Sequence, residues 1–284
     1  MSDADVTIDA DWLGHLSERL DMPPARPRIP LALAVAGAPP VVVGSLDADL
    51  ALGLAGAGLA LRDTGSAWQV EVPDVAAIDP ALAQIARWLH RAGRTGAWRD
   101  ELLDVCDAEG RVHGVIERAA VRALGIATRA VHLVVSDRAG AVWVQQCAPD
   151  KAVDPNLWDT TVGGLIAAGE SVELACERET WEEAGLRPTQ LGPIRPFGQV
   201  TVRRPVHEGY MVERLDLFEA VAEGGVVPVN QDGEVSGFAC MTPAELVTRL
   251  QADEFTLEAA LILVNWLRRR AAGGSPPSQS SKAT

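Results

Sequence analysis

A short acidic segment near the middle of the chain most constrains what this chain can fold into and do. The sequence RETWEEAGL, residues 178–186, places Glu179, Glu182 and Glu183 within five positions of a 284-residue chain whose formal net charge is −14. Carboxylates this close repel one another and raise each other's proton affinity. A fold that keeps them together therefore has to supply a compensating positive charge.

The segment predicts one helix whose carboxylates lie on a single face. Ser171 is the predicted N-cap, the helix runs to about Ala184, and Gly185 ends it. At 100° per residue, the three glutamates continue the apolar stripe formed earlier in the helix by Val172, Ala175 and Cys176. A second apolar side, formed by Leu174 and Trp181, leaves open which face points inward.

A hard divalent cation would resolve the charge problem. Arg178 precedes Glu182 by four residues and neutralises one carboxylate, which is insufficient for three. Mg²⁺ binds oxygen ligands octahedrally and keeps several waters, which leaves positions for phosphate oxygens. The spacing i, i+3, i+4 therefore predicts a magnesium site on this helix. A charged structural helix is the plainer alternative.

Together with the preceding loop, the segment resembles the Nudix box, GX5EX7REUXEEXGU. Every fixed position is met, and the one departure is Thr180, where the family usually has an aliphatic residue. That departure affects packing more than chemistry. The fixed positions are Gly164, Glu170, Arg178, Glu179, Glu182, Glu183 and Gly185.

The resemblance implies a role for each of these residues. The three glutamates would coordinate Mg²⁺ or Mn²⁺, and one of them is a candidate base for the attacking water. Arg178 and Glu170 would form an ion pair that orients the helix and its loop. Gly164, in the turn before that loop, would let the backbone approach the metal, and Gly185 is structural. Members of this family hydrolyse a diphosphate that is linked to an organic group.

A further carboxylate is expected from a distant loop, because the family often adds one. The sequence NQDGEV, residues 230–235, supplies Glu234 as the first candidate for a metal-ligating or catalytic group and Asp232 as the second. A plain Asp-Gly turn is the alternative interpretation.

Four other segments resemble one Nudix branch that carries an extra N-terminal module and is fused or related to thiamine pyrophosphokinase. These segments are GAWRDELLDV, IERAAVRALGI, DKAVDPNLWDTTVGG and VNQDGEVSGF. The resemblance implies hydrolysis of thiamine diphosphate or of a related, damaged thiamine compound. A thiazolium cation is attracted to aromatic faces and acidic walls, which agrees with this expectation.

Five residues are candidate substrate contacts. Trp98 and Trp158 lie in the branch segments and could stack on a cationic ring, with core packing as the alternative. Lys151 and Arg99 could meet phosphate oxygens, with an ordinary surface position as the alternative. His132 alternates with apolar residues in a strand and could face either side of it.

The rest of the chain alternates between β-rich and helical stretches, which predicts an α/β protein. RAVHLVVSDRAGAVWVQQC predicts a hairpin, and residues 79–93 predict a helix with Asp79 as N-cap and Gly93 as terminator. Thr242 and Pro243 predict the first turn of another helix. Short strands are further predicted in LALAVAGAPPVVVGSL and WQVEV and at 194–203 and 209–221.

The sequence texture changes near residue 125, which predicts three parts. Residues 1–125 form a smaller α+β N-terminal module, in which 1–28 are a candidate flexible segment. Residues 126–272 form the domain that resembles the Nudix family, for which the resemblance implies an α/β/α sandwich around a mixed sheet. Residues 273–284, rich in Gly, Ser and Pro, are predicted to be disordered.

Composition excludes several function classes. A hydrophobic fraction of 48% with 23% charged residues is ordinary for a globular protein, and the acidic balance argues against nucleic-acid binding and electrostatic membrane anchoring. The four cysteines are scattered, which argues against a zinc site. The N-terminus lacks signal-peptide order, and the longest apolar run, residues 50–61, is shorter than a membrane span. We therefore expect a cytoplasmic protein. The resemblance implies an enzyme with a small-molecule diphosphate substrate, and a homodimer is left open.

Three rival functions remain from the sequence. The first is hydrolysis of a nucleoside diphosphate linked to another group, such as ADP-ribose or a dinucleotide. The second is a sensor that binds a diphosphate metabolite without cleaving it, which the complete set of glutamates disfavours. The third is an isomerase of isoprenoid diphosphates, for which no proton-donor cysteine or acid pair is identified.

Overall fold

The computed structural model describes residues 7–151, 154–231, 233 and 235–273. Asp232, Glu234 and all of the predicted tail except residue 273 lie outside the described residues. The described chain forms a four-stranded, a two-stranded and a seven-stranded sheet. Its first half contains α1 (Ala10–Leu20), β1 (Arg28–Val35), β2 (Val41–Asp47), α2 (Ala48–Gly56), β3 (Leu61–Asp63), β4 (Trp68–Val72), α3 (Ile78–Arg91), β5 (Leu102–Cys106) and β6 (Val112–Glu117).

The second half holds the large sheet and the helices that cover it, and the strands predicted there from the sequence are confirmed. Its elements are β7 (Ala127–Ser136), β8 (Val142–Cys147), β9 (Trp158–Asp159), β10 (Val162–Leu165), α4 (Val172–Ala184), β11 (Arg195–Val206), β12 (Gly209–Val221), β13 (Val235–Met241), α5 (Pro243–Gln251) and α6 (Leu257–Ala271).

The four-stranded sheet, in the order β2-β1-β4-β3, packs with α2 and α3 around the core of the first half. The strands β1, β2 and β4 are confirmed as predicted. Helix α2 was not predicted, because the run ADLALGLAG lacks a polar face that would give helical periodicity. Its first turn is nevertheless capped, since the Asp47 side chain accepts a hydrogen bond from the Leu50 N–H at 2.9 Å.

Helix α3 is confirmed, but its predicted N-cap is wrong. The helix begins at Ile78, and the Asp79 side chain does not cap it. Instead, the Asp79 carboxylate accepts a hydrogen bond from the backbone N–H of Val115 at 2.9 Å. The carboxylate thus links α3 to β6, a long-range contact that local capping preferences cannot reveal.

The seven-stranded sheet is mixed, as predicted. Its path runs β11-β12-β7-β8-β13, with β10 paired to β7 and β9 paired to β8. Strands β12 and β7 are parallel, and the other pairs are antiparallel. One face packs on α4 and the other on α5 and α6, with Trp266 almost fully buried in the second layer. This arrangement confirms the α/β/α sandwich.

Both helices after β13 begin with side-chain caps. Thr242 and Glu245 form a capping box at the start of α5, and Pro243 occupies its first turn, as predicted. Thr256 caps α6 by accepting a hydrogen bond from the Ala259 N–H at 3.2 Å. These caps fix where the chain leaves β13 and covers the sheet.

The first helix packs on the second half of the chain. Leu16 and Leu20 of α1 are each 4% exposed and lie in the same core cluster as Trp266. The Met22 N–H donates to the Arg203 carbonyl at 2.8 Å, which ties the end of α1 to β11. Helix α1, which lies within the candidate flexible segment 1–28, thus contributes Leu16 and Leu20 to the large core.

The first half also contacts the large sheet close to the loop before α4. The Ala168 N–H donates to the Leu102 carbonyl at 2.8 Å, and the Tyr210 N–H donates to the Arg122 carbonyl at 3.0 Å. The Gly169 N–H reaches the Asp104 carboxylate at 3.2 Å. The two-stranded sheet of β5 and β6 and the seven-stranded sheet therefore meet in a seam. This seam lies beside the loop that leads into α4, the helix with the acidic segment.

All four cysteines are free thiols, as expected, and Cys240 is exposed. Within the part of the chain that the structure describes, no helix is both long enough and apolar enough to span a lipid bilayer.

A buried carboxylate closes the β5–β6 hairpin. Asp107 accepts hydrogen bonds from the backbone N–H of Arg111 at 2.9 Å, from the Arg111 side chain at 2.8 Å and from His113 at 2.8 Å. These contacts, with that from His113 largest, lower the pKa of Asp107 to about 2. A depressed carboxyl pKa stabilises the fold above the unfolded pKa, near 3.9, and this stabilisation disappears as pH falls through about 2.

We therefore expect Asp107→Asn to reduce the free energy of unfolding at pH 7, with the difference from wild type shrinking as pH falls from about 4 toward 2. Urea unfolding across this pH range measures it. Glu109→Gln is the matched control, because Glu109 pairs with the same Arg111 but is 63% exposed. A difference that stays constant with pH would contradict the assignment.

Candidate active site

Helix α4 forms with the ends that the sequence predicts. The Ser171 hydroxyl accepts a hydrogen bond from the Leu174 N–H at 3.2 Å, and Gly185 ends the helix in the left-handed conformation at φ 61°. The Leu186 N–H then donates back to the Thr180 carbonyl at 3.2 Å. This closure satisfies the last helical carbonyls and explains the need for glycine at position 185.

The structure decides which face of α4 points inward. Ala175, Cys176 and Glu183 are buried against the large sheet, whereas Leu174 and Trp181 are 56% and 42% exposed. The side of α4 that carries Glu179 and Glu183 is therefore packed, whereas the Glu182 side chain is 46% exposed. This result argues against a plain solvated helix, because such a helix would turn its charges outward.

Glu183 is the most deeply buried carboxylate of the segment. It is 4% exposed, and one of its oxygens accepts hydrogen bonds from the Gly163 N–H at 2.8 Å and from the Gln145 amide at 3.0 Å. Burial outweighs these hydrogen bonds and raises the pKa of Glu183 to about 8. The site thus holds a carboxylate whose charged form lacks sufficient compensation.

Arg178 organises the acidic segment. Its guanidinium makes two hydrogen bonds to Glu170, both at 2.9 Å, and one to the Leu165 carbonyl at 3.1 Å. It also pairs with Glu179 at 2.7 Å and with Glu182 at 3.1 Å. The contact with Arg178 lowers the pKa of Glu170. The ion pair implied by the resemblance is therefore present and ties the loop to the helix.

Gly164 lies in a strand, so its predicted position in a turn is wrong. It belongs to β10 and pairs with Val131 of β7. A Cβ atom at this position would overlap the carboxyl group of Glu179. The predicted need for glycine is thus explained by close packing against a carboxylate and not by turn geometry.

The chemistry of this donor set fits a hard divalent cation. Burial also raises the pKa of Glu179, against the opposing charge of Arg178, so one guanidinium serves more carboxylates than it can neutralise. The Oε1 atom of Gln145 is buried and has no hydrogen-bond partner among the described residues. Uncompensated carboxylates beside an unsatisfied amide oxygen are what Mg²⁺ with its bound waters would satisfy.

The described side chains do not themselves converge as a ligand set. Among residues 7–151, 154–231, 233 and 235–273, no group of three or more His, Cys, Asp or Glu side chains is arranged to hold a metal ion. The contacts explain why: Arg178 holds Glu179 and Glu182, and Glu183 turns toward Gly163. Metal binding would require Arg178 to release at least one of these carboxylates.

A cavity of about 540 Å³ lies between the first half of the chain and the large sheet, and we call it the seam cavity. Two candidate substrate contacts, Arg99 and Lys151, line it. The candidate Glu234 lies outside the described residues and stays a prediction, but its neighbour Gly233 lines this cavity. Defining residues of the seam cavity are Arg99, Arg118, Arg122, Lys151, Leu165 and Gly233.

The structure places both candidate tryptophans elsewhere. The Trp98 indole N–H donates to Asp100 at 2.7 Å, and its ring packs 5.3 Å from that of His90 beside a separate cavity of about 290 Å³. Trp158 packs against the core of the second half, with the Arg249 guanidinium 5.8 Å from its ring. Neither side chain lines the seam cavity.

His132 lies inside the sheet and beneath the acidic site. It is 7% exposed, and its Nδ1 atom is 2.9 Å from the Thr160 hydroxyl. A Cβ atom on Gly163 would come within 2.6 Å of the ring, so His132 also packs tightly against β10. His132 therefore contacts β10, the strand whose Gly163 N–H binds the Glu183 carboxylate. Its side chain does not line the seam cavity.

Sequence reasoning missed three residues of this region. Gln145 contacts Glu183. The sequence feature that could have indicated it is the polar pair QQ in the otherwise apolar strand VWVQQC. Arg118 and Arg122 line the seam cavity, and their signal was two cations four residues apart in the segment IERAAVRALGI. None of these signals specifies a role without the fold.

Comparisons with known proteins agree with the geometry. The NUDIX domain profile matches residues 127–261. The Nudix hydrolase YfcD of Shigella flexneri is 30% identical over 177 residues, which cover 60% of this chain and 89% of that protein. An isopentenyl-diphosphate Δ-isomerase of Streptomyces coelicolor is 31% identical over 181 residues, covering 61% and 89%. The crystal structure of DR0079 from Deinococcus radiodurans is 25% identical, with a TM-score of 0.48, covering 58% of this chain and 99% of that one.

The profile match and the box geometry coincide on the same elements, from β7 through α4 to α6. Glu170 and Arg178 are paired as the resemblance implies, and Glu179 and Glu183 lie on the inward face of α4. This chain belongs to the Nudix hydrolase family.

Proposed function

We propose that this protein hydrolyses a phosphoanhydride bond in a small-molecule diphosphate with the aid of Mg²⁺ or Mn²⁺. The observation that carries the proposal is the burial of Glu179 and Glu183 on the inward face of α4 without enough positive charge to compensate them. Such a site is unfavourable unless a divalent cation completes it.

Each box residue then has a stated task. Glu179, Glu182 and Glu183 would hold the metal, which supplies Lewis-acid activation of water and stabilises charge on phosphoryl oxygens. Arg178 and Glu170 hold the loop against the helix, and the Gly163 N–H orients the Glu183 carboxylate. Glu179, Glu182 and Glu234 remain the candidates for the base that takes the proton from water.

Thiamine diphosphate or a related thiamine compound is our favoured substrate. The four segments that resemble the thiamine-linked branch support this choice. So do the carboxylates of Asp150, Glu208 and Glu213 in the lining of the seam cavity, which would attract a cationic ring. The tryptophans no longer contribute, since neither Trp98 nor Trp158 lines the seam cavity. Arg99 and Lys151 remain candidate phosphate contacts.

The N-terminal module, with its boundary near residue 125, is proposed to belong to the branch related to thiamine pyrophosphokinase. We also propose a cytoplasmic location and a homodimer, both on the basis of the sequence.

Two rival activities share the diphosphate chemistry. A nucleoside diphosphate linked to another group is the first, since the same metal site would serve it. Isomerisation of an isoprenoid diphosphate is the second, because one similar protein carries that activity in its name. The described lining of the seam cavity includes no cysteine, which disfavours a thiol proton donor there.

A substrate panel separates these activities. Purified full-length protein with Mg²⁺ is incubated with thiamine diphosphate, oxidised thiamine diphosphate, ADP-ribose, a dinucleotide and isopentenyl diphosphate, and products are followed by ³¹P NMR. We expect phosphate or a monophosphate to appear fastest from a thiamine compound. Absence of release from every thiamine compound would remove that substrate. Isomerisation releases no phosphate and is followed by ¹H NMR of the isopentenyl diphosphate sample, so a panel with neither release nor isomerisation would favour the sensor.

A further inference from the structure

The seam cavity gathers positive charge in a protein that is acidic overall. Arg99, Arg118 and Arg122 come from the first half of the chain, and Lys151 comes from the loop after β8. The chain as a whole has a net charge of −14, so its average field repels anions. The lining also carries the carboxylates of Asp150, Glu208 and Glu213, so it has one basic side chain more than it has acidic ones, in contrast to the acidic excess of the chain as a whole.

The cavity adjoins the acidic site. Leu165, which lines it, directly follows Gly164, and its carbonyl accepts a hydrogen bond from Arg178 at 3.1 Å. A diphosphate whose oxygens reach a metal at the box would therefore extend into this cavity.

One of the arginines presents an exposed side chain to an added anion. This residue is Arg99, whose backbone N–H is fixed by Glu117 at 2.9 Å. The Arg122 guanidinium is instead 4.0 Å from Glu208, and its carbonyl accepts a hydrogen bond from the Tyr210 N–H, farther from the box than Thr128. Arg118, by contrast, is engaged by Glu101 at 2.7 Å. Planar guanidinium groups suit phosphate because they donate two parallel hydrogen bonds.

The far end of the cavity has a different character. The Thr128 hydroxyl donates to Glu213 at 2.9 Å, and Met211 and Ile126 supply aliphatic surface nearby. Val131 pairs with Gly164, and Thr128 lies three residues earlier on β7, so this end is about 10 Å from the box along the strand. The described lining contains no aromatic ring, so a ligand here would be bound by hydrogen bonds and aliphatic contacts.

We infer that the seam cavity is the substrate subsite. Arg99 binds phosphate oxygens of the diphosphate, and the Thr128–Glu213 end receives an organic group that carries a hydrogen-bond donor or a positive charge. The N-terminal module is thereby part of the binding site and selects the substrate. This inference rests on the proposed hydrolysis, which identifies the ligand as a diphosphate. The volume of the seam cavity, about 540 Å³, suits a small molecule.

The test of the phosphate end does not depend on turnover. Binding of methylenediphosphonate, a diphosphate that water cannot cleave at its bridge, is measured by calorimetry with Mg²⁺ on the full chain. We expect Arg99→Ala to weaken binding about tenfold, as for loss of one charge-assisted hydrogen bond, and Arg122→Ala to keep the wild-type affinity. Arg94→Ala is the matched control, since Arg94 is exposed in the same module and does not line the cavity. Equal affinity in wild type and Arg99→Ala would overturn the inference.

Glu213→Ala tests the other end of the cavity. It should leave the affinity for methylenediphosphonate unchanged, because that probe has no organic group, and raise KM for the best substrate of the panel about tenfold. An unchanged KM would overturn the placement of the organic group. Weaker binding in Arg99→Ala without any hydrolysis would support the subsite and count against the proposed function alone, so the two failures are distinguishable.

Discussion

Glu182→Gln should lower kcat by about a thousandfold while leaving the fold intact. Glu182 is 46% exposed, and its only ion pair among the described residues is with Arg178 at 3.1 Å. A glutamine keeps the size and can still accept that hydrogen bond, so the loss of a half-exposed pair costs the fold less than about 1 kcal/mol. What the change removes is the negative charge that a divalent ion requires.

Steady-state hydrolysis at increasing Mg²⁺, with circular dichroism and thermal melting of the same samples, measures this prediction. Glu177→Gln is the matched control, because Glu177 is an exposed glutamate of the same helix outside the box positions. It should keep kcat and the metal dependence of wild type. A Glu182→Gln enzyme with wild-type kcat at saturating Mg²⁺ would show that the metal-site assignment is wrong.

Gly164→Ala is expected to lower kcat/KM by about 10- to 100-fold, which is the range found when a group that positions a metal ligand is altered. The added methyl group would overlap the Glu179 carboxyl group. That carboxylate is held by Arg178 at 2.7 Å and its side chain is only 13% exposed, so it has little room to move aside. The substitution therefore displaces a proposed ligand without removing it.

Two comparisons make this prediction specific. Gly237→Ala changes another strand glycine, one whose Cβ position is open, and should leave activity unchanged. Adding Gly164→Ala to Glu179→Ala should cost little further activity, because the displaced carboxylate is already absent. Fully additive losses in the double variant would mean that Gly164 acts on the reaction by some route other than Glu179.

Local sequence signals account for most of the elements around the site. Ser171 and Gly185 specify the ends of α4 because capping and left-handed termination depend on neighbouring backbone groups. The strands β7, β8, β11 and β12 follow from their own β-rich composition. Helix α2 escaped prediction because a uniformly apolar run has no periodicity, and Asp79 was misassigned because its partner, Val115, is distant in sequence.

By itself, the sequence determined the spacing of the box and the helix that carries it, since both lie within one segment, and the resemblance to the Nudix box implied the pairing of Arg178 with Glu170. Only the tertiary structure decided that the side of α4 with Glu179 and Glu183 packs inward, that Gly164 sits in a strand against Glu179, and that arginines from the first half line a cavity beside the box. The physical reason is range: capping and helical spacing act between near neighbours. Burial, strand register and a cavity between two sheets depend on residues that folding alone brings together.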